Sequence, residues 1–270
     1  MRCAAQRPTR RRSSGSRGVE PVAVKGGGRL AHPCGVARLR QRTRVAALLA
    51  WLVCVTTASG HAGEPLPVLD FDPPPPGSYT LHRIMAAPDG AVLGIDGRRQ
   101  RLSQFTRGRI TLLGFIYTTC IDPDGCPLAY RVFDAMKQAI EDTPVLHDRV
   151  RFVTLSFDPA RDTPAIMRQY AGSRVSDDGG GLRWYFLTTG SADELMPLVE
   201  GFGQDIRSTI DRSNGKPRWE LSHVLKVFLI DAAGFIREIY TSTFFHPRTV
   251  LNDIETLLLE GRATAGGSGR

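Results

Sequence analysis

Short, continuous apolar runs separated by amphipathic stretches dominate this chain of 270 residues. The run ITLLGFIY at 110–117 is almost free of polar residues and VRFVTLSF at 150–157 is mainly apolar, which is typical of strands buried on both faces of a sheet. Two runs separated by DAAG near the C-terminus predict a hairpin. The predicted strands are Ala91–Ile95, Gln100–Leu102, Ile110–Tyr117, Val150–Phe157, Trp184–Leu187, Val224–Ile230 and Phe235–Tyr240.

Helical signals fill the gaps between these strands. Apolar residues from Leu128 to Ile140 recur at the spacing of one helix face, and Pro127 suits a first helical position. This order of strands and helices predicts an α/β protein with a mixed central sheet and helices on both faces, arranged as in thioredoxin-like proteins. The other predicted helices begin at the N-cap Thr163 with Pro164, run from the capping box Ser191–Glu194 to about Phe202, and run from about Pro247 to Leu259.

Charge is unevenly distributed along the chain. Residues 1–44 hold twelve Arg or Lys and one acidic residue, whereas the remainder holds 23 basic and 26 acidic residues. The net charge of +8 therefore comes from the N-terminus, and the rest of the chain is slightly acidic. This segregation argues against a nucleic-acid-binding surface.

The basic segment leads into Val45–Ala58, a stretch of fourteen apolar or small residues. It fits the hydrophobic core of a signal peptide and is shorter than the ~20 residues of a membrane span. Small residues follow in ASGHAGE, and Gly60-His61-Ala62 predicts cleavage before Gly63, so we expect an exported, periplasmic protein; the alternative is an uncleaved membrane anchor at residues 45–60. We also expect translation to begin near Val36, because the preceding residues show no apolar period.

These features divide the chain into four parts. About 208 residues remain after cleavage, which suits a single domain. Of the five cysteines only Cys120 and Cys126 remain, in a compartment where thiols tend to pair. The predicted parts are a basic prelude with the signal peptide or anchor at 1–62, a Pro-rich linker at 63–79, a thioredoxin-like domain at 80–260 and a disordered tail at 261–270.

Cys120 and Cys126 flank Asp122–Gly125, a segment with the composition of a tight turn. Residues six apart do not share a helix face, so the two thiols can meet only if this segment folds back. Proline and Asp favour such a turn, and Gly125 can accept a positive φ. Cys120 would then lie in a loop and Cys126 at a helix start, where the helix dipole stabilises a thiolate.

The residues alone leave three kinds of chemistry open for this pair. One is a structural disulfide, although a crosslink across such a short loop removes little chain entropy. The second is a redox pair, and the third is a soft metal site for copper(I) or zinc. The acidic turn lacks the regular ligand ladder and closing Glu of a calcium loop, so calcium is discounted.

A metal site needs a third ligand, and His223 is the best-placed histidine. It precedes the apolar run VLKVFLI and is expected to open that strand, whose start lies near the reactive loop in a thioredoxin-like arrangement. The other five histidines lie in the prelude, the leader, a polar turn or just before Pro247. A histidine at a strand end is more often a surface residue than a metal ligand. The nearby pair of thiols is the reason to expect that His223 is a ligand.

Four stretches in this order resemble the Sco/SenC family of thioredoxin-like copper proteins. They are LLGFIYTTC followed by CP, TLSFDPARDTPAIMRQYA, WYFLTTG and LSHVLKVFLIDAAGFI, and the resemblance covers roughly residues 80–260. It implies that Cys120, Cys126 and His223 bind a copper ion, as Cu(I) or Cu(II). It also implies a non-enzymatic metallochaperone for the dinuclear copper centre of cytochrome c oxidase. The implied partners are the copper-bearing oxidase subunit or another periplasmic acceptor, and a periplasmic thiol reductant.

Two positions depart from the family pattern. Five residues separate the cysteines instead of three, and Ser222 replaces the Asp that usually precedes the histidine, which removes a carboxylate able to orient the imidazole. The alternative function is a thiol–disulfide oxidoreductase that uses the two cysteines without metal. Other residues of the matched stretches are given structural roles: Asp158, Arg161 and Asp162 in a loop and helix cap, and Phe115, Tyr117, Trp184, Tyr185 and Phe186 in the core.

Overall fold

Strands and helices alternate through most of the described part of the chain. The structure is a computed structural model, and it describes residues 66–175, 181–212, 215 and 218–267. The predicted prelude, signal peptide or anchor and most of the loop at 176–181 lie outside the described residues. The strands are β1 Met85–Ala86, β2 Ala91–Gly94, β3 Arg99–Arg101, β4 Ile110–Ile116, β5 Val150–Ser156, β6 Arg183–Thr188, β7 Ile206–Asp211, β8 Arg218–His223, β9 Val227–Ile230 and β10 Phe235–Tyr240. The helices are α1 Ser103–Thr106, α2 Cys126–Glu141, α3 Pro164–Ala171, α4 Ala192–Gly201 and α5 Pro247–Gly267, with short 3₁₀ turns at Pro144–Leu146 and Gly172–Arg174.

Eight strands form one mixed sheet in the order β1-β10-β9-β4-β5-β6-β2-β3, while β7 pairs only with β8. β4, β5 and β6 run parallel to one another, and β9 lies antiparallel to β4. All residues of β4 and β5 are buried, so their continuous apolar runs correctly predicted central strands. The carboxyl ends of β4 and β5 meet at one edge, where Ile116 lies opposite Ser156.

Helices cover both faces of this sheet, as the sequence predicts. On one face Phe133 of α2 stacks on Trp184, with ring centroids 5.4 Å apart, and also contacts Phe245 just before α5. On the other face Phe115 packs edge-on against Phe202, the residue that ends α4. Phe115 and Trp184, which the sequence assigned to the core, therefore lie between the layers.

Helix starts follow the sequence signals. Thr163 Oγ1 accepts the backbone N–H of Ile166 at 3.5 Å at the start of α3. Ser191 Oγ accepts the Glu194 N–H at 3.3 Å, as in a capping box. The Glu194 carboxylate, however, accepts the N–H of Gly190 rather than that of the N-cap residue, so the reciprocal half of the box is displaced by one residue.

The two ends of the domain are more ordered than the sequence indicates. The Pro-rich linker lies along α5, where Asn252 Nδ2 donates a hydrogen bond of 2.8 Å to the carbonyl of Pro74. α5 runs to Gly267, beyond the predicted end at Leu259, so the expected disordered tail is helical over 261–267. No helix in the described part combines the length and apolar character that crossing a bilayer requires.

Candidate metal centre

Cys120 lies in a short loop after β4, and Cys126 is the first residue of α2. Between them Gly125 N–H donates to the Asp122 carbonyl at 3.0 Å, and Asp124 N–H donates to Asp122 Oδ1 at 3.1 Å. The predicted turn is therefore confirmed, and Gly125 has a φ of −99°, so the turn does not use the positive φ that glycine permits. A Cβ at this position would lie 3.3 Å from Asp122 Oδ2, which is a tight contact.

His223 reaches the cysteines from a hairpin that the sequence analysis missed. It is the last residue of β8, opposite Ile206 of β7, and not the first residue of the next strand, which begins at Val227. Apolar residues alternate with polar ones in both hairpin strands, at Ile206 and Ile210 in β7 and at Trp219 and Leu221 in β8, but each strand holds only two of them, which is a weak signal. The dipeptide Asn214-Gly215 between them is a strong hairpin signal, and Gly215 has a φ of +72°.

Three potential ligand atoms converge where this hairpin meets the loop. The sulfur atoms of Cys120 and Cys126 and a ring nitrogen of His223 all lie within 4.8 Å of one another. Nε2 of His223 is 3.7 Å from Sγ of Cys126. Cys126 is only 1% exposed, whereas Cys120 and His223 are half-buried, and both cysteines are free thiols. The structure thus brings together the three residues that the sequence singled out.

The two thiols have opposite electrostatic environments. A hydrogen bond with the Cys126 side chain lowers the pKa of Cys120 against the opposing effect of burial, and His223 and backbone hydrogen bonds at Cys126 and Asp122 lower it further. The same hydrogen bond raises the pKa of Cys126, followed by burial and the charge of Cys120. The pair is therefore arranged as a half-exposed thiolate beside a buried thiol.

Two aromatic rings that the sequence analysis placed at the ends of predicted buried strands also enclose the imidazole. The centroid of Phe157 lies 4.7 Å from that of His223 and the centroid of Tyr117 lies 5.9 Å from it, both in edge-to-face geometry. These residues directly follow β5 and β4, so the parallel pairing of the two strands places them side by side. Their position at the carboxyl ends of neighbouring parallel strands is a signal that the sequence contains.

Gln204 holds the segment that directly follows His223. Its side chain is 3% exposed, and Nε2 donates to the Val224 carbonyl at 2.8 Å, while Oε1 has no hydrogen-bond partner within the described residues. Lys226 Nζ donates to the Gly203 carbonyl at 2.5 Å. These bonds tie the end of the α4 region to the histidine segment. Gln204 belongs to no recognisable motif, so the sequence did not indicate that it supports the histidine segment.

The donor set fits one soft metal ion. Nitrogen and sulfur ligands ~2.0–2.3 Å from a metal ion lie roughly 3.5–4 Å apart around it. Donors that already lie within 4.8 Å of one another therefore need only small movements to share an ion. Thiolate sulfur favours copper(I) and zinc, and imidazole also suits copper(II).

The fold and this cluster define a thioredoxin-like protein with a two-cysteine, one-histidine site. The SCO1/SenC family model matches residues 93–259, which is more than half of the chain. The chain therefore belongs to the SCO1/SenC family, as the sequence resemblance implied. A search of curated proteins found no match.

Several solved structures share the fold. Apo Sco1 from Thermus thermophilus has 24% identity and a TM-score of 0.52, over 67% of this chain and 95% of that one. ScoI from Arabidopsis thaliana, described with copper bound, has 18% identity and a TM-score of 0.54, over 65% and 99%. BsSco, described as having a disulfide switch and as a member of the Sco family of cytochrome c oxidase assembly proteins, has 19% identity and a TM-score of 0.50, over 66% and 96%. These likenesses confirm the predicted thioredoxin-like fold.

Proposed function

We propose that this protein binds a copper ion through Cys120, Cys126 and His223 and acts as an exported metallochaperone for the dinuclear copper centre of cytochrome c oxidase. The convergence of the three donor atoms within 4.8 Å carries the proposal. Membership of the SCO1/SenC family supports it, as does the likeness to proteins described as copper-bound and as cytochrome c oxidase assembly proteins.

The three ligands would contribute differently to copper binding. Cys126 is buried at the start of α2, so its sulfur is the fixed donor. Cys120 is half-buried with a lowered pKa, so it offers a thiolate without first losing a proton at neutral pH. The imidazole of His223 lets the same site accept copper(II) as well as copper(I).

Copper delivery requires an acceptor to reach the site, and the side of Cys120 is the accessible one. Ile121 and Val224, beside two of the ligands, are 62% and 57% exposed and leave an apolar approach to the site. The proposed acceptor is the copper-bearing subunit of cytochrome c oxidase or another periplasmic protein. Incoming ligands would replace Cys120 first, so that the ion is never released to water.

The compartment and the reductant are part of the same proposal. The signal-like segment Val45–Ala58 supports export to the periplasm. A disulfide between Cys120 and Cys126 would leave no thiolate to bind copper, so a periplasmic thiol reductant must keep the pair reduced. The intact mass of the protein purified from the periplasm tests export, with the mature chain expected to begin at Gly63.

Copper titration of the reduced full-length protein tests the metal site. We expect one copper ion per chain and a copper(II)–thiolate charge-transfer band, which is lost in Cys120→Ser and weakened in His223→Ala. Full copper retention in His223→Ala would contradict the proposed ligand set and favour the metal-free thiol–disulfide oxidoreductase. In cells that lack the protein, oxidase copper content should recover with the wild type and not with His223→Ala.

A further inference from the structure

Asp162 is a buried carboxylate beneath the loop that carries Cys120. Its side chain is 1% exposed, so the hydrogen bonds it accepts are shielded from water. Oδ2 accepts the backbone N–H of Thr118 at 3.0 Å and the hydroxyl of Ser156 at 2.6 Å. Oδ1 accepts the hydroxyl of Thr118 at 2.5 Å. One carboxylate therefore holds both the backbone and the side chain of Thr118.

These hydrogen bonds hold the loop after β4, which has no partner strand in the sheet. β4 ends at Ile116, and Thr118 follows it by two residues and precedes Cys120 by two. Asp162 itself is fixed by its N–H, which donates to the Asp158 carbonyl at 2.8 Å. The carboxylate thus connects the start of α3 and the end of β5 to the loop on which one ligand lies.

We propose that Asp162 is a positioning residue for the metal centre: by clamping Thr118, it holds the Cys120 loop so that the Cys120 sulfur faces Cys126 and His223. This role rests on the proposed function in so far as the ligand is copper. The sequence indicated only a structural role for Asp162 in a loop and helix cap, whereas this proposal gives Asp162 an effect on the metal centre itself. Residues that orient metal ligands typically change metal affinity by about 10–100-fold when they are replaced.

The hydrogen-bond pattern predicts different results for different substitutions. In Asp162→Asn the amide oxygen can replace Oδ2, and the amide N–H can donate to the Thr118 hydroxyl in place of Oδ1, so the clamp is retained. Asp162→Ala removes all three bonds. Thr118→Val removes only the hydroxyl bond at nearly constant volume, and Thr118→Ser keeps it.

Asp253 offers a matched control elsewhere in the domain. It is also a buried carboxylate, 5% exposed, and it accepts hydroxyl hydrogen bonds from Tyr79 at 2.5 Å and Tyr240 at 2.6 Å. Tyr79 belongs to the Pro-rich linker and Tyr240 to β10, and neither lies in the loop that carries Cys120. Asp253→Ala therefore reports what the loss of a buried carboxylate does to stability alone.

Two measurements on full-length protein test the role, one with copper and one without. The first is competition for copper(I) with a chromophoric chelator, together with the copper(II)–thiolate spectrum. The second is the equilibrium with glutathione, in which two protein thiols and one oxidised glutathione give the intramolecular disulfide and two reduced glutathione molecules. We expect Asp162→Ala and Thr118→Val to lower copper affinity about tenfold or more and to lower the disulfide equilibrium constant, because the two sulfurs meet less often. Asp162→Asn and Thr118→Ser should stay close to the wild type, and Asp253→Ala should lose only thermal stability.

The outcomes separate this role from the proposed function. If the wild type binds no copper but the clamp variants still lower the disulfide equilibrium constant, the copper function fails and the positioning role stands. If Asp162→Ala does not fold, Thr118→Val carries the test. A Thr118→Val protein with wild-type copper affinity, spectrum and disulfide equilibrium would overturn the positioning role.

Discussion

Nε2 of His223 lies 3.7 Å from Sγ of Cys126, although 97 residues separate the two in the chain. Cys126 begins α2 and His223 ends β8, so regular secondary structure holds both of these ligands, whereas Cys120 lies in a loop. The integrity of the site therefore depends on the contacts that support the loop and the β7–β8 hairpin.

Replacing Gln204 with Met should loosen the histidine segment. The substitution removes the Nε2 donor to the Val224 carbonyl, and a lost hydrogen bond of this kind costs about 1 kcal/mol of unfolding free energy. Because Val224 follows His223 directly, we also expect weaker copper(I) retention, while Cys120 alkylation stays unchanged. Urea unfolding and chelator competition measure the two effects. Gln138→Met on the exposed face of α2 is the control, and equal copper retention in both variants would contradict the prediction.

Replacing Phe157 with Leu should release the imidazole. Leucine keeps much of the buried apolar volume but loses the edge-to-face contact with His223, a kind of contact that contributes about 1 kcal/mol. We expect a broadened or shifted copper(II) electron paramagnetic resonance spectrum, because the ring can adopt more orientations. Phe133→Leu is the control, since Phe133 packs against Trp184 and Phe152 in the core. That control should lose stability without a spectral change, and identical spectra for the two variants would argue against a role for Phe157.

The lowered pKa of Cys120 predicts the pH dependence of its alkylation. Hydrogen bonding from Cys126 is the main cause, so the reduced, metal-free protein should react with iodoacetamide at Cys120 well below the ordinary thiol pKa of about 8.5. A depressed folded-state pKa stabilises the fold above the unfolded value, and this contribution is lost as pH falls through the folded value. Mass spectrometry of proteins alkylated between pH 5 and 9 measures the profile. In Cys126→Ala the alkylation profile should move to higher pH. An unmoved profile would show that the hydrogen bond from Cys126 does not lower the pKa of Cys120.

Much of the fold could be predicted because its central strands are buried on both faces. The run that forms β4 is apolar except for Thr111, and the turn before Cys126 contains the Asp, Pro and Gly that such turns need. Local patterns also placed Thr163 at a helix start, where the structure has it. These features are local, so neighbouring residues are enough to specify them.

The supports of the site are non-local and could not be predicted in the same way. β7 and β8 each hold only two alternating apolar residues, so the hairpin that ends at His223 gives a weaker sequence signal than the buried central strands. The partners of Asp162 include Thr118, 44 residues away, and no periodicity links the two. The resemblance to a known family pointed to three candidate ligands, whereas the residues that contact them emerged only from the three-dimensional structure.

Asp253 predicts a second pH dependence, this time of stability. Burial raises the pKa of Asp253 despite hydrogen bonds from Tyr240 and Tyr79. A raised folded-state pKa gives a stabilisation that is complete below the unfolded value of about 3.9 and is lost as pH rises through the folded value. The wild type should therefore lose stability relative to Asp253→Asn, which does not titrate, as pH rises from 4 to 8. Urea unfolding of both proteins across this range measures the difference, in which the other carboxyl groups cancel. A difference that stays constant with pH would show that Asp253 ionises in the folded protein as it does in the unfolded chain.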